Sequence, residues 1–219
     1  MKTVSVEHPT GYHYSQNISS DKAIKKSIKE IEKIVRSSQE YRDYIKYLKD
    51  NVNMDQCAFF NNVNSSSSKV KIEIHHEPLT LYDITEAVLN KHIVENDGNV
   101  NAYEVAEEVM SLHYKDEVGL IPLSITLHEM VHNSDKIMIP LHLVYGNYIK
   151  FVEEYEEYMD DKTIKKLEDK IKNTKLLSEK SFDAINVEFT YVDVDGFSLP
   201  QMLEDETLSV SETSQSSAA

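Results

Sequence analysis

The sequence predicts an α+β fold, predominantly helical, on two observations. Apolar residues recur at helical spacing along most of its 219 residues, and two segments instead alternate with the period of two that marks a half-buried strand. These are Val70, Ile72 and Ile74 between Lys69, Lys71 and Glu73, and the stretch Val187 to Val194. A chain of this length buries a real core and suits one domain with extensions.

The elements follow in order. From Asp21 to Asp50, Ala23, Ile24, Ile28, Ile31, Ile34 and Val35 define an amphipathic helix capped at Ser20 or Asp21, and a second helix runs through Tyr41, Ile45 and Leu48. Lys22, Lys25, Lys26, Lys29 and Lys33 form a basic stripe there, either a solvated face or a nucleic-acid contact. The Asn/Ser tract from Asn61 to Ser68 cannot build a core and reads as a turn joining two strands. The alternating strand after it ends at His75-His76. Helices are predicted over Leu79–Val94, from the start Thr80-Leu81-Tyr82-Asp83, and over Val100–His113, with Asp97-Gly98-Asn99 as the turn between them.

Leu120 to Leu123 is a short apolar stretch, and Ser124 caps a helix through His128 and His132. Pro140 suits the first turn of a longer helix, Leu141 to Tyr158, whose set Tyr145, Tyr148, Phe151, Tyr155 and Tyr158 reads as packing surface. Thr163 to Leu177 is one more helix, and after Pro200 the Ser/Thr/Glu-rich end reads as disordered.

Composition narrows the function. The single cysteine, Cys57, excludes a disulfide framework and a Cys-rich zinc ribbon, and reads as a small buried apolar residue in a reducing compartment. The start MKTVSVEHPTGYHY lacks an apolar leader, and no run of about eighteen apolar residues is present, so the expected location is the cytoplasm, with no membrane partner. The net charge of −15 disfavours a broad grip on duplex DNA, although more than half of it comes from eight acids after Ser181.

Seven of the nine histidines fall between His75 and His142. His128 and His132 lie four apart on a helix and share one face, so both imidazoles can reach one ion. His75 and His76 point to opposite sides at a strand end, so one can ligate while the other faces substrate. Taken alone, a helical His-x-x-x-His is also the spacing of two half-buried histidines. Two such pairs in this order are what point to a metal.

The stretch Ile74-His75-His76-Glu77-Pro78, with Gly119 to Asn133 containing His128-Glu129-Met130-Val131-His132, resembles the two halves of the HNH (ββα-metal) nuclease motif of colicin and phage type. The resemblance implies a small ββα-metal-like core with flanking helices. It makes His75, His128 and His132 ligands of a divalent ion (zinc, magnesium, manganese or nickel), and His76 the general base. His113 is a spare candidate ligand. The family's central Asn falls on Gly119, its Cys pair on Ser124 and Leu127, and about forty residues with two predicted helices separate the halves.

The implied organisation is a helical extension over 1–53, an HNH-like core over 54–134 with a helical insertion over 79–115, helices and a strand over 135–199, and an acidic tail over 200–219. The expected function is a phage- or mobile-element-encoded, metal-dependent endonuclease acting on DNA in the host cytoplasm. Its alternatives are a non-enzymatic phage accessory or structural protein of the virion, partnered by phage or host proteins around a degenerate HNH-like core, and an acidic nucleic-acid mimic that inhibits a DNA-binding protein.

Overall fold

The computed structural model describes residues 15–65, 70–133 and 137–178. Within them the fold is α+β and mostly helical, as the periodicity predicts. Helix α1 (Asp21–Ser37) starts where the Ser20 hydroxyl accepts the Ala23 amide, and it buries the stripe Ile28, Ile31 and Val35. Helix α2 (Gln39–Asn51) follows directly, because the Ser38 hydroxyl accepts the Tyr41 amide at 3.0 Å and restarts the helix on a new axis. Helix α3 (Leu81–Glu95) opens on a full capping box: the Thr80 hydroxyl accepts from the Asp83 amide, and the Asp83 carboxylate accepts from the Thr80 amide. Helix α4 (Ala102–Tyr114) is capped by Asn101.

These helices share one core, to which Ile28, Leu48, Val88 and Val109 all belong. Full burial of side chains of this size contributes about 1.5–3 kcal/mol each. The segment before residue 54 and the 79–115 insertion therefore contribute to the same core.

The strands are short: β1 (Ser15–Asn17), β2 (Gln56–Cys57), β3 (Phe60–Asn64), β4 (Ile72–His76), β5 (Asn99–Asn101) and β6 (Leu120–Ser124). They pair antiparallel as β1–β5, β2–β3 and β4–β6, and Asn61 to Asn64 of the Asn/Ser tract, read from the sequence as a turn, lie in β3. The strand after that tract, β4, pairs with β6, across the α3–α4 excursion, with His75 opposite Ile121 and His76 opposite Leu120. Ala58, next to the buried Cys57, donates its amide to Pro122 and ties the β2–β3 hairpin to β6. Helix α5 (Ile125–Asn133) leaves β6 without a break and completes a strand–strand–helix unit. None of its nine residues is buried. Leu127 and Val131 rest half-buried on a second, smaller core built from Ala58, Ile121, Leu123, Ile139, Leu141 and Val144.

The expected helix from Leu141 to Tyr158 is broken. A 3-10 turn covers Leu141–Leu143, and helix α6 covers only Tyr148–Tyr155. Tyr145 pairs as an isolated bridge with Leu120, and Gly146 follows at φ +96, where a Cβ would lie 2.1 Å from the Val118 carbonyl oxygen. Only glycine fits such a turn, and it ends the helical path that periodicity alone extends. The aromatic set does pack inward: Tyr145, Phe151 and Tyr155 are buried, and Phe151 stacks on Tyr155 at 4.6 Å. Helix α7 (Asp161–Ser178) closes the described chain. The Val187–Val194 strand and the acidic tail lie outside the described residues.

Candidate metal centre

Strand β4 divides its side chains between two environments, because alternate residues point to opposite faces. Ile74 and His76 turn towards the helical core. Glu73, His75 and the following Glu77 occupy the other parity, where the cross-strand partners Leu123 and Ile121 belong to the core beneath α5. Helix α5 then carries His128 and His132 over His75, their rings meeting it edge-on at centroid distances of 5.1 and 5.0 Å. The three imidazoles offer one nitrogen each within 4.8 Å of one another. His128 Nε2 and His132 Nε2 are already 3.2 Å apart. The edge of a tetrahedron around an ion with bonds of about 2.0–2.1 Å is about 3.3 Å, so this donor set fits a small divalent ion. Three imidazoles with no thiolate suit a borderline cation such as zinc or nickel, and they leave one coordination position for an outside ligand.

The electrostatics keep the two helical rings, His128 and His132, neutral. Burial lowers the basicity of His128, and the neighbouring His75 and His132 lower it further. His132 is lowered by burial first, then by His75 and Arg36. Neutral imidazole is the form that binds a metal.

A cleft of about 360 Å³ opens beside the triad, with Arg36, Lys49, Lys71 and Thr80 in its walls. Arg36 and Lys49 come from α1 and α2, so the helical body supplies positive charge at the open side. Lys22, Lys25, Lys26, Lys29 and Lys33 are all exposed on α1.

His76 and His113 stand apart from the triad. Both are buried, and their Nε2 atoms are 2.9 Å apart. His113 Nδ1 donates to the Val109 carbonyl at 2.7 Å, so its Nε2 carries the lone pair and His76 Nε2–H is the donor. Tyr41 and Tyr44 pack edge-on to the His113 ring. Burial holds His113 down at about 4 and pushes His76 well below the ordinary histidine range, with His113 adding to the latter. The structure thus brings together His75, His128 and His132, anchors His76 on the helical core by one ring nitrogen, and spends His113 as that anchor.

Gly119, where the HNH pattern has its central Asn, admits no side chain. A Cβ there would lie 1.8 Å from the Glu77 carbonyl oxygen and 2.9 Å from Val144 Cγ1. Beyond the predicted residues, the site contains Arg36, Glu73, Glu77 and Lys170. Lys170 of α7 donates to Glu77 Oε1 at 2.5 Å and to the Pro78 carbonyl at 2.9 Å. Burial pushes the Glu77 carboxyl up, but His75 and Lys170 outweigh it and hold the group below its usual range. The period of two was the available signal for Glu73, which precedes His75 by one strand repeat.

An α+β chain with a three-histidine strand–strand–helix unit is the class that this geometry defines. The family model for the bacteriophage G278-like virion proteins matches residues 2–193, and the chain belongs to that family. No curated protein and no solved structure matches it. Phage origin and association with phage proteins follow from membership. No helix among the described residues is long and apolar enough to cross a membrane.

Proposed function

We propose that the protein is a structural or accessory component of a phage virion, in which a divalent ion on His75, His128 and His132 fastens helix α5 to the β4–β6 strand pair. The observation that carries this reading is the contrast between α5 and its histidines. A nine-residue helix with no buried side chain is marginal by itself, yet two of its residues converge with a strand histidine in ligand geometry. Binding energy at such a site is folding energy. Family membership supports a virion role, and the anchored His76 and the sterically closed position 119 argue for a scaffold in which catalysis is degenerate.

The experiment is zinc content and melting temperature of protein purified without chelator or nickel resin, beside His132→Ala. One ion per chain is expected, with both content and melting temperature falling in the variant. A wild type without metal, or a variant with full occupancy, overturns the assignment. Detection of the chain in purified virions tests the virion role.

A second reading, an HNH-like metal-dependent endonuclease, is favoured by one observation: His76 lines the same cleft as the triad, together with Arg36 and Lys49. In that reading the ion stabilises charge on the scissile phosphate and His76 accepts a proton from water. Nicking of supercoiled plasmid with magnesium, manganese, nickel and zinc separately tests it. No cleavage with any of them removes it.

A further inference from the structure

We propose that Glu73 and Glu77 are the positioning residues of this centre: Glu73 orients His128 and Glu77 orients His75, so the sequence Glu73-x-His75-x-Glu77 works as one ligand with its two supports. The inference rests on the metal reading above and deepens it.

The contacts divide cleanly. His128 Nδ1–H donates to Glu73 Oε2 at 2.8 Å. A carboxylate only accepts, so the proton sits on Nδ1 and the Nε2 lone pair is left facing His132 Nε2, 3.2 Å away. Glu73 is itself held by Lys71, which donates to Oε1 at 2.5 Å. On the other side, Glu77 Oε2 lies 3.6 Å from His75 Nε2. Glu77 is outside the group of converging donors, so it flanks His75 within ion-pair distance and does not complete the coordination. Its other oxygen is held by Lys170, which anchors it to α7.

The arrangement follows from strand geometry. Residues two apart on β4 share a face, so a carboxylate on each side of His75 reaches the space in which the α5 histidines sit. A ligand histidine whose second nitrogen is tied to a carboxylate is fixed in tautomer and ring angle and is a stronger donor. His132, with no carboxylate within ion-pair distance among the described residues, is left free to adjust as an ion enters.

The decisive variant is Glu73→Ala, with Glu73→Gln as the conservative partner, since Gln retains an acceptor for His128 Nδ1–H. Glu73 is a quarter exposed, so neither change opens a cavity. Zinc affinity, read by competition with a chromophoric chelator, should weaken about 10–100-fold in Glu73→Ala and recover in large part in Glu73→Gln. A purely structural role would not move the second readout. In metal-free protein the His128 ring-nitrogen NMR shifts should report the Nδ1–H tautomer in the wild type and a mixture in Glu73→Ala.

Wild type that binds zinc, with Glu73→Ala within twofold of it, overturns the inference and leaves the metal reading standing. Wild type that binds no zinc but shows the fixed tautomer overturns the metal reading and leaves Glu73 as the residue that orients His128. An unchanged tautomer in Glu73→Ala overturns the positioning role in either case.

Discussion

Gly119→Ala is expected to be among the most destabilising single-methyl changes in the protein. The alanine Cβ would start 1.8 Å from the Glu77 carbonyl oxygen, where contacts under 3.0 Å are essentially never found. The two backbone segments must separate by at least about 1.2 Å. That movement breaks the hydrogen bond from the Glu77 amide to the Gly119 carbonyl, now 3.0 Å, and lifts Glu77 away from Lys170. One buried backbone pair lost costs about 1–3 kcal/mol, and a loosened buried ion pair adds to it. A total of about 3–4 kcal/mol corresponds to a fall in melting temperature of roughly 8–12 °C in a chain of this size. The assay is thermal melting by circular dichroism at neutral pH, with Gly98→Ala as control. Gly98 has φ +83, but its nearest neighbours are 3.6 Å from a built Cβ, so only the cost of about 1 kcal/mol for left-handed backbone applies there. Gly119→Asn should be no better than Gly119→Ala, so supplying the HNH asparagine would damage the site and not repair it. Melting of Gly119→Ala within about 2 °C of wild type refutes the reasoning.

His113 is held neutral by burial at about 4, below its unfolded value of about 6.5. Its contribution to stability is therefore intact above pH 6.5 and falls by about 3 kcal/mol as pH drops towards 4, a slope that His113→Gln should flatten in urea titrations. Glu108 accepts from His92, Lys91 and Tyr155 at 2.6, 2.8 and 2.5 Å, and the His92 hydrogen bond first among these lowers its carboxyl to about 2. Its stabilisation is present above about pH 4.5 and lost as pH falls towards 2; Glu108→Gln should lose about 2 kcal/mol at pH 7 and little at pH 2, allowing for partial exposure. Lys170→Met strands the buried Glu77 carboxylate and should cost about 3 kcal/mol, part of which Lys170→Met with Glu77→Gln recovers in a double-mutant cycle.

The predominantly helical α+β class and the local placing of the histidines were legible in the sequence, and the surroundings of the site were not. Two histidine pairs, one on a strand end and one at helical spacing, pointed to a convergence because each reports its own local geometry, and the HNH resemblance chose His75 over His76 to join His128 and His132. The residues that surround them come from distant elements. Arg36 and Lys170 lie on α1 and α7, and no local period ties them to β4. The His76–His113 contact spans α4, the helix that the sequence offers as part of an insertion, and only tertiary packing brings it to the strand. The break at Gly146 failed to register for a different reason: the apolar spacing continues through it, and the pairing of Tyr145 with Leu120 is a tertiary event.

The opposite faces of β4 make His76→Ala the most informative single change. His76 is 5 % exposed and donates to His113, whereas the triad lies on the other parity of the strand. Removing the ring should leave zinc stoichiometry unchanged. It leaves His113 Nε2 buried without its donor and opens a small void against the helical core, together worth about 2–4 kcal/mol. The scaffold reading therefore expects a protein that melts lower, still binds zinc, and differs from wild type in no nicking assay. The endonuclease reading expects that same metal content with cleavage reduced by roughly two to four orders of magnitude, the scale of a lost general base. The comparison is made at a temperature at which both proteins are fully folded, so that lost stability does not pass for lost catalysis. Loss of zinc from His76→Ala refutes the separation of the two faces, because the ring would then be holding His75 in place through the strand itself.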